Sequence, residues 1–296
     1  MIWFLFPGQG SQKPGMAQDY YEASPAAHAV LDQAQEVLGA GFLDRMFTGT
    51  AEELRDTQTA QVALVAAGVA IARHLSATDL RPDGAVGHSV GENAALVGAG
   101  ARGFGDALRL TRERARLMAE KSAEGTMAAV IGLDASVIAG ALPEDAEIAN
   151  FNGPGQTIIS GGTEAIEEAQ TALLEAGARR VLPLNVSGPF HSSLMKPAAL
   201  ELRDYLDRVT LCEPAIRFVS SVTGAHESDP GTIKELLWKQ LYSPVRWTEV
   251  METLGPVRAI EVGPGKVLQG LAKRADDAPE VSVAGTLEEA QALALI

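Results

Sequence analysis

The sequence predicts an α/β fold, a mostly parallel sheet covered by helices on both faces, and three observations carry that prediction. Short apolar strands alternate with helix-length segments along most of the chain. The alternation is interrupted once, over residues 124–187, by a compact β-α-β-β-α-β run. And Gly87-His-Ser-Val-Gly91 reads G-x-S-x-G at a point where a strand hands over to a helix.

Taken in order, Ile2–Phe6 reads as a strand running into the glycine-rich loop Gly8-Gln-Gly-Ser-Gln12. Ser24-Pro25 is an N-cap followed by proline at the first helical position, opening a helix to about Leu38. Thr50-Ala-Glu-Glu53 has the form of a capping box. Residues 58–76 read as a buried helix, 84–88 as a strand, and 90–99 and 104–121 as helices. In the interrupting run, strands are expected at 126–132, 147–151, 156–160 and 179–184. Asp134 and Thr163 are expected to cap its two helices, and Gly177 to stop the second. This is the ferredoxin-like pattern, so 124–187 reads as an inserted small subdomain within a larger one spanning 1–123 and 188–296. After it come helices at 192–207, 231–241, 246–253 and 266–274, strands at 216–220, 257–262 and 281–284, and a closing helix.

Composition excludes several classes. A net charge of −14 argues against nucleic-acid binding, which needs a concentrated basic surface. The longest apolar run, Val62 to Ala72, is shorter than the roughly 20 residues a bilayer requires, so no membrane association is expected. No basic leader precedes Ile2, and the lone Cys212 rules out an internal disulfide, so a cytoplasmic setting is expected and Cys212 reads as a small buried hydrophobe. The five histidines and one cysteine show no metal-ligand spacing, and no metal is expected. Arg179, Arg180, Lys196, Arg246, Lys266, Lys273 and Arg274 are either ordinary surface charges or a local basic patch for an acidic partner; sequence does not decide between these.

The chemistry centres on Ser89. A sharp strand-to-helix turn holds such a serine with its hydroxyl exposed, and the helix behind it aims N–H groups at developing negative charge. An ordinary tight turn would also explain the two glycines. A serine nucleophile needs a base. His28 and His74 fall inside helices and His226 in a polar turn. His88 neighbours Ser89 in the strand, so its side chain should point to the opposite face and pack under the turn. His191 lies where the chain leaves the insertion and faces a cleft, which makes it the best base. One arginine of helix 104–121, turned into that cleft, would select a carboxylate-bearing substrate; composition does not say which. An amide of the loop Gly8-Gln-Gly-Ser-Gln12 and the N–H of Val90 are the expected halves of an oxyanion hole.

Seven stretches, in order and spread over nearly the whole chain, resemble the malonyl-CoA:acyl carrier protein transacylase family. They are Phe6-Pro-Gly-Gln-Gly-Ser-Gln12, Gly87-His-Ser-Val-Gly-Glu92, Arg112-Glu-Arg-Ala-Arg-Leu-Met118, Asn150-Phe-Asn-Gly-Pro-Gly-Gln156, Pro189-Phe-His191, Gln240-Leu-Tyr-Ser-Pro-Val-Arg-Trp247 and Glu261-Val-Gly-Pro-Gly-Lys-Val-Leu268. The resemblance implies an α/β-hydrolase-like large subdomain and a ping-pong transfer. Ser89 would carry the acyl group, His191 act as base, and the backbone carbonyl of Gln240 orient His191. Arg114 would clasp the malonyl carboxylate, and the N–H groups of Gln9 and Val90 form the oxyanion hole. Phe190, Asn152 and His88 would line the pocket. It implies no permanently bound cofactor: a coenzyme A thioester is the substrate, and the partner, an acyl carrier protein, brings the phosphopantetheine. A monomer is expected, and a polyketide synthase is a further partner the resemblance allows. Val90 stands where leucine is common, Asn93 replaces an aromatic residue, and Gly188 departs from the usual run before the histidine. A thioester hydrolase and a catalytically silent docking subunit are the competing readings, and Arg114 favours the transferase.

Overall fold

A computed structural model describes residues 1–293 of the chain. Its first part holds β1 (Ile2–Phe6), α1 (Gln18–Ala23), α2 (Pro25–Leu38), α3 (Phe42–Thr48), α4 (Thr57–Ala77), β2 (Gly84–Gly87), α5 (Gly91–Gly98) and α6 (Phe104–Glu120). Then come β3 (Thr126–Ile131), α7 (Ala135–Ala141), β4 (Ala146–Gly153), β5 (Gln156–Gly161), α8 (Thr163–Glu175) and β6 (Arg180–Pro183). The last part holds α9 (Lys196–Leu206), β7 (Arg217–Val219), α10 (Pro230–Lys239), α11 (Trp247–Leu254), β8 (Arg258–Glu261), α12 (Val267–Ala272), β9 (Glu280–Val283) and α13 (Leu287–Leu293).

Two sheets result, as expected. The larger is parallel throughout, in the order β7-β2-β1-β8-β9. From β1 the chain builds outward through β2 and β7 on one side, then through β8 and β9 on the other. The direction of winding reverses between β1 and β8, and the loops leaving neighbouring strands diverge there to open a crevice at their carboxyl ends. The smaller sheet is antiparallel, in the order β4-β5-β3-β6. Its strands obey the period of two. Ala128, Val130 and Ile159 pack beneath α7 and α8 with Ile138, Ile166 and Leu173, whereas Met127, Ala129 and Ile158 turn to the main core. β4 also bridges the two parts. Phe151 N–H donates to Val245 O at 2.8 Å, and Val245 N–H to Ala149 O at 2.8 Å.

Local chemistry explains several boundaries. The Ser24 hydroxyl accepts from Ala27 N–H and Pro25 opens α2. Thr50 and Glu53 do form the reciprocal capping pair, at 2.7 and 3.2 Å, but it starts only the single 3-10 turn Glu53–Arg55. Asp56 caps the helix proper, accepting from Thr59 N–H at 2.9 Å. α4 is long and apolar enough for a membrane span by length and composition, yet it is packed through the middle of the core.

Other expectations need correction. Asp134 stands at the N-cap of α7 without a side-chain hydrogen bond, and Thr163 is the first residue of α8 behind Gly162. Burial of Ile138, and of Ile166 with Leu173, fixes these helices instead. Cys212 is exposed rather than buried. Its N–H is tied to Ala101 O at 2.9 Å in an extended strap after α9.

Candidate active site

The crevice floor is the turn after β2. Ser89 has φ 52°, a left-handed conformation that costs an L-residue energy and is held here by its surroundings. Both flanking glycines are steric requirements. A Cβ on Gly87 would lie 2.0 Å from the Gly91 carbonyl carbon, and one on Gly91 would lie 2.2 Å from Phe6 O. The turn is therefore pressed between β1 and its own helix, with the Ser89 hydroxyl forward and α5 behind. The loop after β1 packs just as closely, since a Cβ on Gly8 would lie 2.7 Å from His88 O. Among the described residues, neither Gln9 N–H nor Val90 N–H has a hydrogen-bond partner.

His191 approaches from the far side of the insertion. It is 5% exposed and also left-handed, at φ 61°. Its Nε2 lies 2.8 Å from Ser89 Oγ; its Nδ1 lies 2.8 Å from Gln240 O and 3.1 Å from Ser243 O. Carbonyl oxygens only accept, so Nδ1 carries the proton and Nε2 presents its lone pair to the serine hydroxyl. Burial, reinforced by the Arg114 cation, pushes the imidazole down to a pKa of about 3, so it is neutral and able to accept a proton.

Arg114 is the arginine that turns inward from α6. Arg109 pairs with Asp106 and Arg116 with Glu113 and Glu120, while Arg112 donates to Val37 O, all at the surface. Arg114 is 2% exposed. Its Nη1 donates to Gln61 Oε1 at 2.6 Å, and its Nη2 to Gln240 Oε1 at 3.0 Å and to Ser89 Oγ at 3.1 Å. Among the described residues no acidic side chain touches it. Burial lowers it to about 10, with Glu92 opposing, so it keeps its charge at neutral pH.

Above these groups lies a cavity of about 290 Å³. Phe190, Met118, Met127 and Ile158 give it an apolar wall. His88 is not packed out of reach under the turn as expected: it is half-buried, against Asn152 and Trp247. Its Nε2 lies 3.0 Å from Asn152 Oδ1 and its ring is tilted against Trp247, with centroids 5.2 Å apart. It still lines the cavity, beside Asn152, and burial pushes its pKa below the ordinary value. The structure thus brings Gln9, Ser89, Val90, Arg114, Phe190, His191 and Gln240 to one place with His88 and Asn152. Sequence reasoning missed Gln61, Glu92 and Ser243. Gln61 left a signal, an amide directly ahead of an apolar helical run. Glu92 left another, an acid one residue past the turn. Ser243 acts through its backbone and left none.

Among the described residues no cluster of three or more His, Cys, Asp or Glu is arranged to hold a metal. What remains is a serine–histidine pair beside a buried cation, the apparatus of acyl transfer from a carboxylate-bearing donor. The acyl transferase domain family model matches residues 3–294, and the chain belongs to that family. It is 43% identical to the malonyl CoA-acyl carrier protein transacylase of Bacillus subtilis (strain 168), covering 92% of this chain and 90% of that protein. It is 43% identical to the protein of the same name from Escherichia coli (strain K12), covering 98% and 97%. Among solved structures, an acyl carrier protein S-malonyltransferase from Vibrio cholerae superposes with a TM-score of 0.93 at 40% identity, over 99% of both chains. A malonyl-transacylase in complex with its type II PKS acyl-carrier protein superposes with a TM-score of 0.93 at 38% identity, over 98% and 97%.

Proposed function

We propose that this chain moves a malonyl group from coenzyme A to the phosphopantetheine thiol of an acyl carrier protein, through an ester on Ser89. The observation that carries the reading is the buried Arg114 guanidinium 3.1 Å from the Ser89 hydroxyl, with no carboxylate against it among the described residues. A malonyl thioester has its free carboxylate one carbon beyond the reacting carbonyl, so one end meets Arg114 while the other meets Ser89.

Ser89 Oγ attacks the thioester carbonyl and its proton passes to His191 Nε2. The oxyanion is held by the N–H groups of Gln9 and Val90. Collapse breaks the C–S bond, and the departing thiolate takes the proton from His191. In the second half, the carrier's thiol gives its proton to His191 Nε2 and its sulfur attacks the ester; collapse returns the proton to Ser89 Oγ. The Gln240 carbonyl keeps the imidazole in the required tautomer throughout. Phe190 forms part of the wall beside the malonyl methylene, which disfavours an α-branched group. The cavity residues fit a substrate thioester, and no resident cofactor enters any step.

The division into 1–123 with 188–296 and an inserted 124–187 is part of this reading. The smaller sheet would act as one wall of the crevice, carrying Asn150, Asn152, Met127 and Ile158. A cytoplasmic setting is proposed, in keeping with one exposed, unpaired cysteine. The test is product analysis with malonyl-CoA and a phosphopantetheinylated carrier protein. Malonyl-carrier should be the main product, with parallel-line double-reciprocal kinetics. Free malonate as the main product would favour the hydrolase.

A further inference from the structure

Directly behind the site lies a buried acidic side chain that the transfer chemistry above does not use. Glu92 is 1% exposed and follows the serine turn by one residue. Its Oε1 accepts from Ser220 Oγ at 3.1 Å and from Ser221 N–H. Its Oε2 accepts from Gln240 Nε2 at 2.6 Å. Burial raises its pKa to about 7 against the pull of these donors, and all three contacts come from donors, so the side chain accepts on both oxygens. On the other side of Gln240, Arg114 Nη2 donates to Oε1 at 3.0 Å. An acceptor on one side and a donor on the other allow the Gln240 amide only one orientation. The backbone carbonyl of the same residue fixes His191 at 2.8 Å.

We propose that Glu92 is a positioning residue for acyl selection: through the Gln240 side chain it aims the Arg114 guanidinium at the acyl carboxylate. A carboxylate in direct contact with Arg114 would compete with the substrate for the same N–H groups. Placed behind Gln240, it orients the amide that holds Arg114 and leaves the guanidinium edge for the incoming malonyl group. The relay also gives the selector and the base a common anchor, since Gln240 holds Arg114 by its side chain and His191 by its main chain.

This inference rests on the proposed malonyl transfer and is tested against it. In Glu92→Gln, the Ser220 and Ser221 donors claim the single carbonyl oxygen. That turns an N–H toward Gln240 Nε2, and the Gln240 amide flips to present its own N–H groups to Arg114. The measurement is kcat/KM for malonyl-CoA and for acetyl-CoA, the second of which has no carboxylate. The malonyl/acetyl ratio should fall about tenfold, the scale of one weakened charge-assisted contact. In a Gln240→Met background, which keeps the backbone carbonyl, Glu92→Gln should leave the ratio unchanged, because the relay is already cut. A merely structural Glu92 would lower both substrates equally, and that result, or no loss at all, overturns the proposal. If Glu92→Gln does not fold, Ser220→Ala removes one donor holding the carboxylate and should shift the ratio the same way by a smaller factor; an unmoved ratio overturns it equally. A wild type that forms no malonyl ester overturns the functional reading and this inference together. A malonylated wild type with an unmoved ratio overturns only the role of Glu92.

Discussion

The two sides of the candidate site are built by different means. The serine side is local. β1, the turn at Ser89 and α5 are locked by the absence of side chains at Gly8, Gly87 and Gly91, and their geometry follows from a dozen residues. The histidine–arginine side is assembled across the chain. His191, Gln240, Arg114, Gln61 and Glu92 lie on different elements, and their hydrogen bonds join residues as far apart as Glu92 and Gln240. The first side depends on steric exclusion, the second on matching donors with acceptors in a dry interior. Errors on the first side should therefore collapse the site, whereas errors at Arg114 and its partners on the second should change what the site prefers.

That contrast can be broken in order of effect. Gly91→Ala drives a methyl group to 2.2 Å from Phe6 O and should cost about 3 kcal/mol or more of stability with loss of transfer, read by thermal unfolding and by turnover. Arg114→Ala should leave the fold intact and lower malonyl/acetyl discrimination about 10- to 100-fold, the scale of a lost charge-assisted pair. An unchanged ratio would refute the selector role. A smaller effect concerns pH. His191 is held near 3, below its value in water, so the loss of the neutral base as pH falls is displaced to strongly acidic solution. Single-turnover acylation by acetyl-CoA, in which Arg114 plays no selecting part, should change by less than about twofold between pH 7 and 5.5. A fall with a midpoint near 6.5 would contradict the assigned environment. The smallest effect lies in the insertion. Gly140, exposed in α7 with nothing within 4 Å of its missing Cβ, should gain about 0.5–1 kcal/mol on replacement by alanine, with no change in kinetics.

The same contrast governs what could be read in the sequence. Strand-to-helix alternation gave both sheets because its periods are local, and the β-α-β-β-α-β run was legible for that reason. Ser89 and Val90 were legible because their neighbours dictate their conformation. His191 and Arg114 were reached by a family resemblance as much as by chemistry, and Gln9 and Gln240 by the resemblance alone, since one arginine among four on α6 has no local mark of pointing inward. α1 and α3 were missed because each is short and starts behind a left-handed residue, Ala17 or Gly41, without a side-chain cap. Asp134 and Thr163 misled in the opposite way, having the right residue type at a helix start that packing, and no capping bond, secures. Ser243 joins the site through a main-chain oxygen, and side-chain identity carries no record of that.

The central claim is that Ser89 carries the acyl group between two thiols, and intact-mass spectrometry tests it most directly. The wild-type chain incubated with malonyl-CoA should gain one malonyl group, located on Ser89 by peptide mapping and absent from Ser89→Ala. Addition of a phosphopantetheinylated carrier protein should then move that mass to the carrier. A wild-type chain that acquires no malonyl mass, or one that acquires it equally in Ser89→Ala, would contradict the account.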